Sequence, residues 1–177
     1  ARKHNNHIEE ARACSNLGYA YIDKNFWWRS ATLCCRALSI FEAENYQHGL
    51  AHTHNHLGLL YTRAGRLSKA ANSLKAACEI WERPADKAGL VRGLVNLSFL
   101  HNRLRELSVA KATARRAIEL CDELGATSLM GRAYLNLAAS HQLANEFSEA
   151  ITIAGKTETI FRNERYLSGL YDVWGLY

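Results

Sequence analysis

His48, His52 and His56 recur every fourth residue, so three imidazoles would share one face of a helix, with His54 pointing elsewhere. A helical pair of that spacing can bind zinc, yet a stable site needs a third or fourth ligand and outer hydrogen bonds that orient them. No carboxylate or cysteine stands nearby at a suitable spacing. The stripe is therefore a weak metal candidate, and neither a metal nor another cofactor is expected. Two longer series carry more. Arg12, His52, Arg92 and Arg132 stand 40 residues apart, as do Asn16, His56, Asn96 and Asn136. The second series follows the first by four residues, which puts both on one face wherever the chain is helical. Guanidinium forks suit planar carboxylates, and an amide pairs a donor with an acceptor, as an extended backbone requires. Tyr19, Leu59, Phe99 and Ala139, then Asp23, Arg63, Arg103 and Leu143, extend the same face.

Catalysis has no comparable support. Nucleophile-elbow, zinc-protease and phosphate-loop motifs are absent from the sequence. Glu9 with Glu10, and Glu42 with Glu44, read as solvated helix surface. Cys34 and Cys35 place one thiol in a core and one on a face, with no neighbouring base to activate either. The reading is of a protein that is not an enzyme.

The bulk composition agrees. Among 177 residues, 48% are hydrophobic and 22% charged, which excludes a disordered chain, and one proline argues against a turn-rich β-sandwich. No apolar run reaches a membrane span, and the start lacks a signal peptide. Five cysteines, an odd number without a CxxC pair, fit a reducing, cytoplasmic setting. The net charge of +5 favours acidic partners, but the columns lack the dense Lys/Arg face that nucleic acid needs.

What positions these residues is a repeat. "NLGYAY" at Asn16 is followed by "HLGLLY" at His56, "NLSFLH" at Asn96 and "NLAASH" at Asn136, each 40 residues on. Ser30, Ala70, Ala110 and Ala150 keep the same step, and so do Phe41, Trp81, Cys121 and Phe161. Apolar spacings of three and four make each unit a helix, a tight turn and a second helix. Gly65 and Asn145 suit left-handed helix ends; Pro84 and Gly125 stop helices, and Asp86 or Thr127 would cap the next. Because one pair cannot cover its own apolar face, neighbours must stack. The expected fold is all-α: a right-handed superhelical solenoid of antiparallel helix pairs, with units of roughly 5–44, 45–84, 85–124 and 125–164 and a partial unit at 165–177. The chain reads as one repeat domain of 1–177 within a longer protein. Trp27, Trp81, Phe41, Phe147 and Phe161 fall in repeat columns and read as core. Trp28, Trp174 and Tyr177 fit less well and read as partner surface or as an end left open, including for self-association through the terminal helix.

The pattern resembles the tetratricopeptide repeat family, carried by Leu17, Gly18, Tyr21, Trp27, Ser30 and Ala37 and their counterparts in later units. The 40-residue unit is similar to the extended repeats of Pins-type scaffolds, kinesin light chains and MalT-type or Rap-type bacterial regulators. The resemblance implies a concave groove lined by the first helix of each unit that binds a peptide or protein segment. Its lining would include Arg12, Asn16, Tyr19, His52, His56, Arg63, Arg92, Asn96, Phe99, Arg103, Arg132 and Asn136. The Asn column would then grip ligand backbone, and the Arg column would favour acidic or carboxylate-bearing partners. The alternative is a sensor or oligomerisation module of a signal-transduction or transcription regulator. His52 and His56 replace Arg and Asn of the other units, which suggests a grip that titrates near neutrality.

Overall fold

The computed structural model describes residues 2–83, 86–165, 169–170 and 173, with side chains from residue 6 onward. Pro84, Trp174, Tyr177 and most of the expected fifth unit lie outside the described residues. The rest forms eight helices: α1 (Arg2–Asp23), α2 (Trp27–Ala43), α3 (Gln47–Arg63), α4 (Leu67–Glu82), α5 (Lys87–Arg103), α6 (Leu107–Leu124), α7 (Thr127–Leu143) and α8 (Phe147–Asn163). None of them is long and apolar enough to cross a membrane. Two compact units divide the chain at Gly93 and Leu94, within α5.

One turn recurs among the described residues. Asn25, Asn45, Gly65, Arg105, Gly125, Asn145 and Arg165 all have φ between 50° and 73°, in the left-handed region. The N–H of Asn45 then reaches the Glu42 carbonyl at 3.1 Å, and that of Tyr46 reaches the Phe41 carbonyl at 2.8 Å. This crossed pair of bonds ends the helix by satisfying its last carbonyls. The Tyr46 carbonyl accepts from Leu50 N–H and so opens the next helix without a side-chain cap. The same pattern closes the turns at 25, 65, 105, 125 and 145. Thr127 is accordingly not a cap: Ala126 takes that place, and the Thr127 hydroxyl donates to Glu164. Asp86 does cap α5, with its Oδ1 accepting from Gly89 N–H at 2.9 Å.

In the first unit α1 and α2 run antiparallel, since Ala11 clusters with Ala37 and Phe41 while Gly18 approaches Ser30 and Cys34. Leu50 of α3 closes that cluster. In the second unit Ala138 of α7 packs on Ala154 and Phe161 of α8, and Leu170 and Val173 complete the core. The column Phe41, Trp81, Cys121 and Phe161 is buried at every step. Phe147 departs from expectation: its ring is 56% exposed, because the first position of α8 finds no cover among the described residues. Trp28 is 70% exposed, outside any core. Cys34 is buried and Cys35 exposed, and all five cysteines are free thiols.

Two backbone requirements yield stability predictions. Arg105 carries a side chain at φ 61°, so Arg105→Gly is expected to raise stability, and Gly65→Ala at φ 73° to lower it, each by about 1 kcal/mol. A Cβ at Gly89 would lie 2.3 Å from the fully buried Trp81 indole, so Gly89→Ala should cost about 1–3 kcal/mol through overpacking. Thermal unfolding followed by circular dichroism measures all three; unchanged midpoints would remove the strain argument.

Candidate functional site

In the first unit the polar columns of α1 and α3 converge. Arg12 Nη2 donates to the Tyr46 hydroxyl at 2.6 Å, with its guanidinium carbon 5.4 Å from that ring's centre. His48, His52 and the Trp81 indole form an edge-to-face series, with centroids 4.5 Å and 5.2 Å apart. Tyr19 lies against His56, centroids 4.7 Å apart. Ser15 Oγ joins Thr53 Oγ1 at 2.9 Å and His56 Nδ1 at 3.0 Å. Arg12, Asn16, His48 and His52, with Tyr46 and Gly49, line one cavity of about 240 Å3. Arg92 is exposed at the start of α5, where its charge acts on both His52 and His56. Arg63 is held by Asp23 at 2.7 Å.

The imidazoles do not behave as their sequence context suggested. Burial pushes His52 down to about 4, helped by the charges of His48 and Arg92 and opposed by Asp86. Burial likewise pushes His56 down to about 4, with His52 and Arg92 adding to it. Both rings are neutral across the range in which a pH-sensitive grip was expected, so that expectation is withdrawn. No group of three or more His, Cys, Asp or Glu among the described residues is arranged to hold a metal. His48 instead lies 3.8 Å from Asp86.

In the second unit the amides of the Asn column bond within the fold. Asn136 Nδ2 donates to the Val95 carbonyl at 2.7 Å and to Ser98 Oγ at 2.9 Å. The Asn136 carbonyl accepts from Asn102 Nδ2, and Ser140 Oγ donates to Asn102 Oδ1. Asn96 is only 5% exposed and accepts from Arg132 Nη2 at 3.5 Å. These amides brace α5 against α7, and with His56 bound to Ser15, Asn16 is the exposed amide of its column. Phe99 and Arg132 are half-buried, and Arg103 is exposed. Sequence reasoning overlooked Ser15, Thr53, Tyr46, Asn102 and Ser140. Ser140 did leave a signal: its column is otherwise Ala20, Leu60 and Leu100, and a hydroxyl among such residues needs a buried partner.

Two predictions follow from this geometry. Asn136→Ala removes two hydrogen bonds from α7 to α5, those to the Val95 carbonyl and to Ser98 Oγ, which still bond each other; the loss should cost about 1–3 kcal/mol in chemical denaturation. An unperturbed midpoint would reject the bracing role. Because His52 and His56 protonate near 4 when folded and near 6.5 when unfolded, the unfolded chain takes up protons first. Stability should be full above that upper value and fall as pH drops from about 6.5 towards 4. The His52→Gln, His56→Gln double variant should flatten that limb in denaturant titrations at stepped pH.

Comparison with known proteins agrees with this geometry. A family model described as Tetratricopeptide repeat matches residues 51–80, which span most of α3 and α4. No curated protein sequence matches. Among solved structures, aspartyl phosphate phosphatase F from Bacillus subtilis superposes with a TM-score of 0.82 at 18% identity, over 96% of this chain and 45% of that one. BtubC (BKLC) from P. vanneervenii superposes with a TM-score of 0.73 at 18% identity, over 88% of this chain and 64% of that one. The chain thus spans less than two thirds of either structure, and the likeness is one of fold. The 40-residue columns and the paired helices agree with both: residues 51–80 match the tetratricopeptide repeat, and the described residues form an all-α fold like that of these structures.

Proposed function

We propose that the chain is a non-enzymatic scaffold that binds an acidic or carboxylate-bearing peptide or protein segment on the face of its first helices. The observation that carries this reading is the shared cavity of Arg12, Asn16, His48 and His52, with Arg92 close enough to act on the imidazoles. Concave sites with a few convergent polar groups over aromatic walls are the usual form of a binding site. His52 serves there as a neutral hydrogen-bonding and stacking surface, while Arg12 and Arg92 supply the charge. Asn16 supplies the amide. Five free thiols fit a cytoplasmic setting.

Arg12→Ala with Arg92→Ala should weaken binding of an aspartate-rich peptide ending in a free carboxylate by about tenfold in calorimetric titration. Neither His52 nor His56 should contribute a pH dependence to that affinity between pH 5.5 and 8, since neither ring titrates there when folded. Equal affinity of wild type and variant would remove these arginines from the reading.

The second reading is a sensor or oligomerisation module of a longer regulator. It is favoured by the fold shared with a longer chain named an aspartyl phosphate phosphatase. Sedimentation separates the two: the scaffold binds the peptide without changing its association state, whereas the module changes it.

A further inference from the structure

The corner between α2 and the end of α3 differs from its counterpart in the second unit, between α6 and the end of α7. In the second unit Lys111 Nζ and His141 Nδ1 each lie 2.5 Å from Glu146 Oε2, and this ionic cluster occupies the corner. The equivalent residues of the first unit are Ala31, Tyr61 and Arg66, each 80 positions earlier. Alanine replaces the long lysine, so nothing plugs the space. A cavity of about 450 Å3 opens there, lined by Trp27, Trp28, Ala31, Tyr61 and Arg66 among others.

Trp28 is the second anomaly. The other repeats have Ser68, Ser108 and Ser148 at its position, so the helix pair does not require an indole. Leaving a ring 70% exposed forgoes the free energy of burying it. The surroundings are cationic. The Arg29 guanidinium carbon lies 5.7 Å from the Trp28 ring and 5.4 Å from the Phe26 ring. The Lys69 ammonium lies 5.8 Å from the Tyr61 ring, and Arg66 is part of the wall. No carboxylate is among the lining residues. Tryptophan, tyrosine and arginine are the residues that dominate binding energy at protein contacts.

We propose that this cavity docks an acidic segment of a partner protein, with an apolar anchor side chain between Trp28 and Tyr61 and carboxylates on Arg29, Arg66 and Lys69. The site uses residues other than those of the Arg12–His52 cavity. The apolar walls select the anchor, and the cation rim, without a competing carboxylate, sets the charge of what flanks it.

The test is fluorescence anisotropy with a short labelled peptide bearing Phe-Leu flanked by aspartates. Controls carry Ser-Ser at the centre or lysines at the flanks. The Phe-Leu, aspartate-flanked peptide should bind and both controls should bind at least about tenfold more weakly. Trp28→Ser installs the residue of the other repeats, and Ala31→Lys with Arg66→Glu rebuilds the plug of the second unit. Both should keep the helical circular dichroism of the wild type and lose about tenfold or more in affinity. No binding, equal binding of the Ser-Ser control, or full affinity in Trp28→Ser would overturn the proposal. So would a loss confined to the Arg12, Arg92 variant, which would assign the peptide to the other cavity.

Discussion

The left-handed residue at each turn is the constraint on which the rest of the structure depends. A helix must end, present its last carbonyls to partners and restart within three residues, antiparallel to itself. The crossed bonds of residues such as Asn45 and Tyr46 accomplish this with backbone alone. Because Asn25, Asn45, Gly65, Arg105, Gly125, Asn145 and Arg165 fall at multiples of one 20-residue step, every helix starts in the same phase. Constant phase turns a sequence period into columns of side chains. The buried column of Phe41, Trp81, Cys121 and Phe161 follows from it, and so do the polar columns of the first helices.

Equivalent columns nonetheless do different work in the two units. At Tyr21 and Tyr61 the first unit has aromatic rings, whereas His101 and His141 of the second pair with Glu106 and Glu146. The repeat architecture accepts either, since both fill the end of a first helix. What changes is the chemistry left at the surface: an aromatic, cationic opening in one unit and a self-satisfied ionic cluster in the other. The amide column shows the same divergence. Asn16 is exposed, while Asn136 ties α7 to the Val95 carbonyl of α5. An amide whose N–H groups are spent on α5 cannot donate them to a ligand, so the bracing use competes directly with ligand binding.

Much was legible from the chain alone. The period, the paired helices, the buried aromatic column and the convergence of Arg12, Asn16, His48 and His52 all rest on phase, and phase is a local property that spacing reveals. Left-handed ends at Gly65 and Asn145 were readable because glycine and asparagine tolerate positive φ. Arg105 was not readable, since its backbone is held there by the helices it joins rather than by its own preference. Phe147 misled for the same kind of reason: its column predicts an apolar neighbour, and the neighbour is missing among the described residues.

The sequence by itself determined the repeat, the all-α class, the helix phases and the face on which the polar columns lie. Tertiary structure decided which of those polar groups were already engaged across the helix pairs. Ser15 meeting Thr53 and His56, or Asn136 meeting Val95 and Ser98, are contacts between residues 38 to 41 positions apart. The register of such contacts depends on interhelix distance and side-chain length, neither of which a period encodes. The same packing half-buries His52 and His56 and keeps them neutral, and it leaves the cavity beside Trp28 open because Ala31 is too short to fill it.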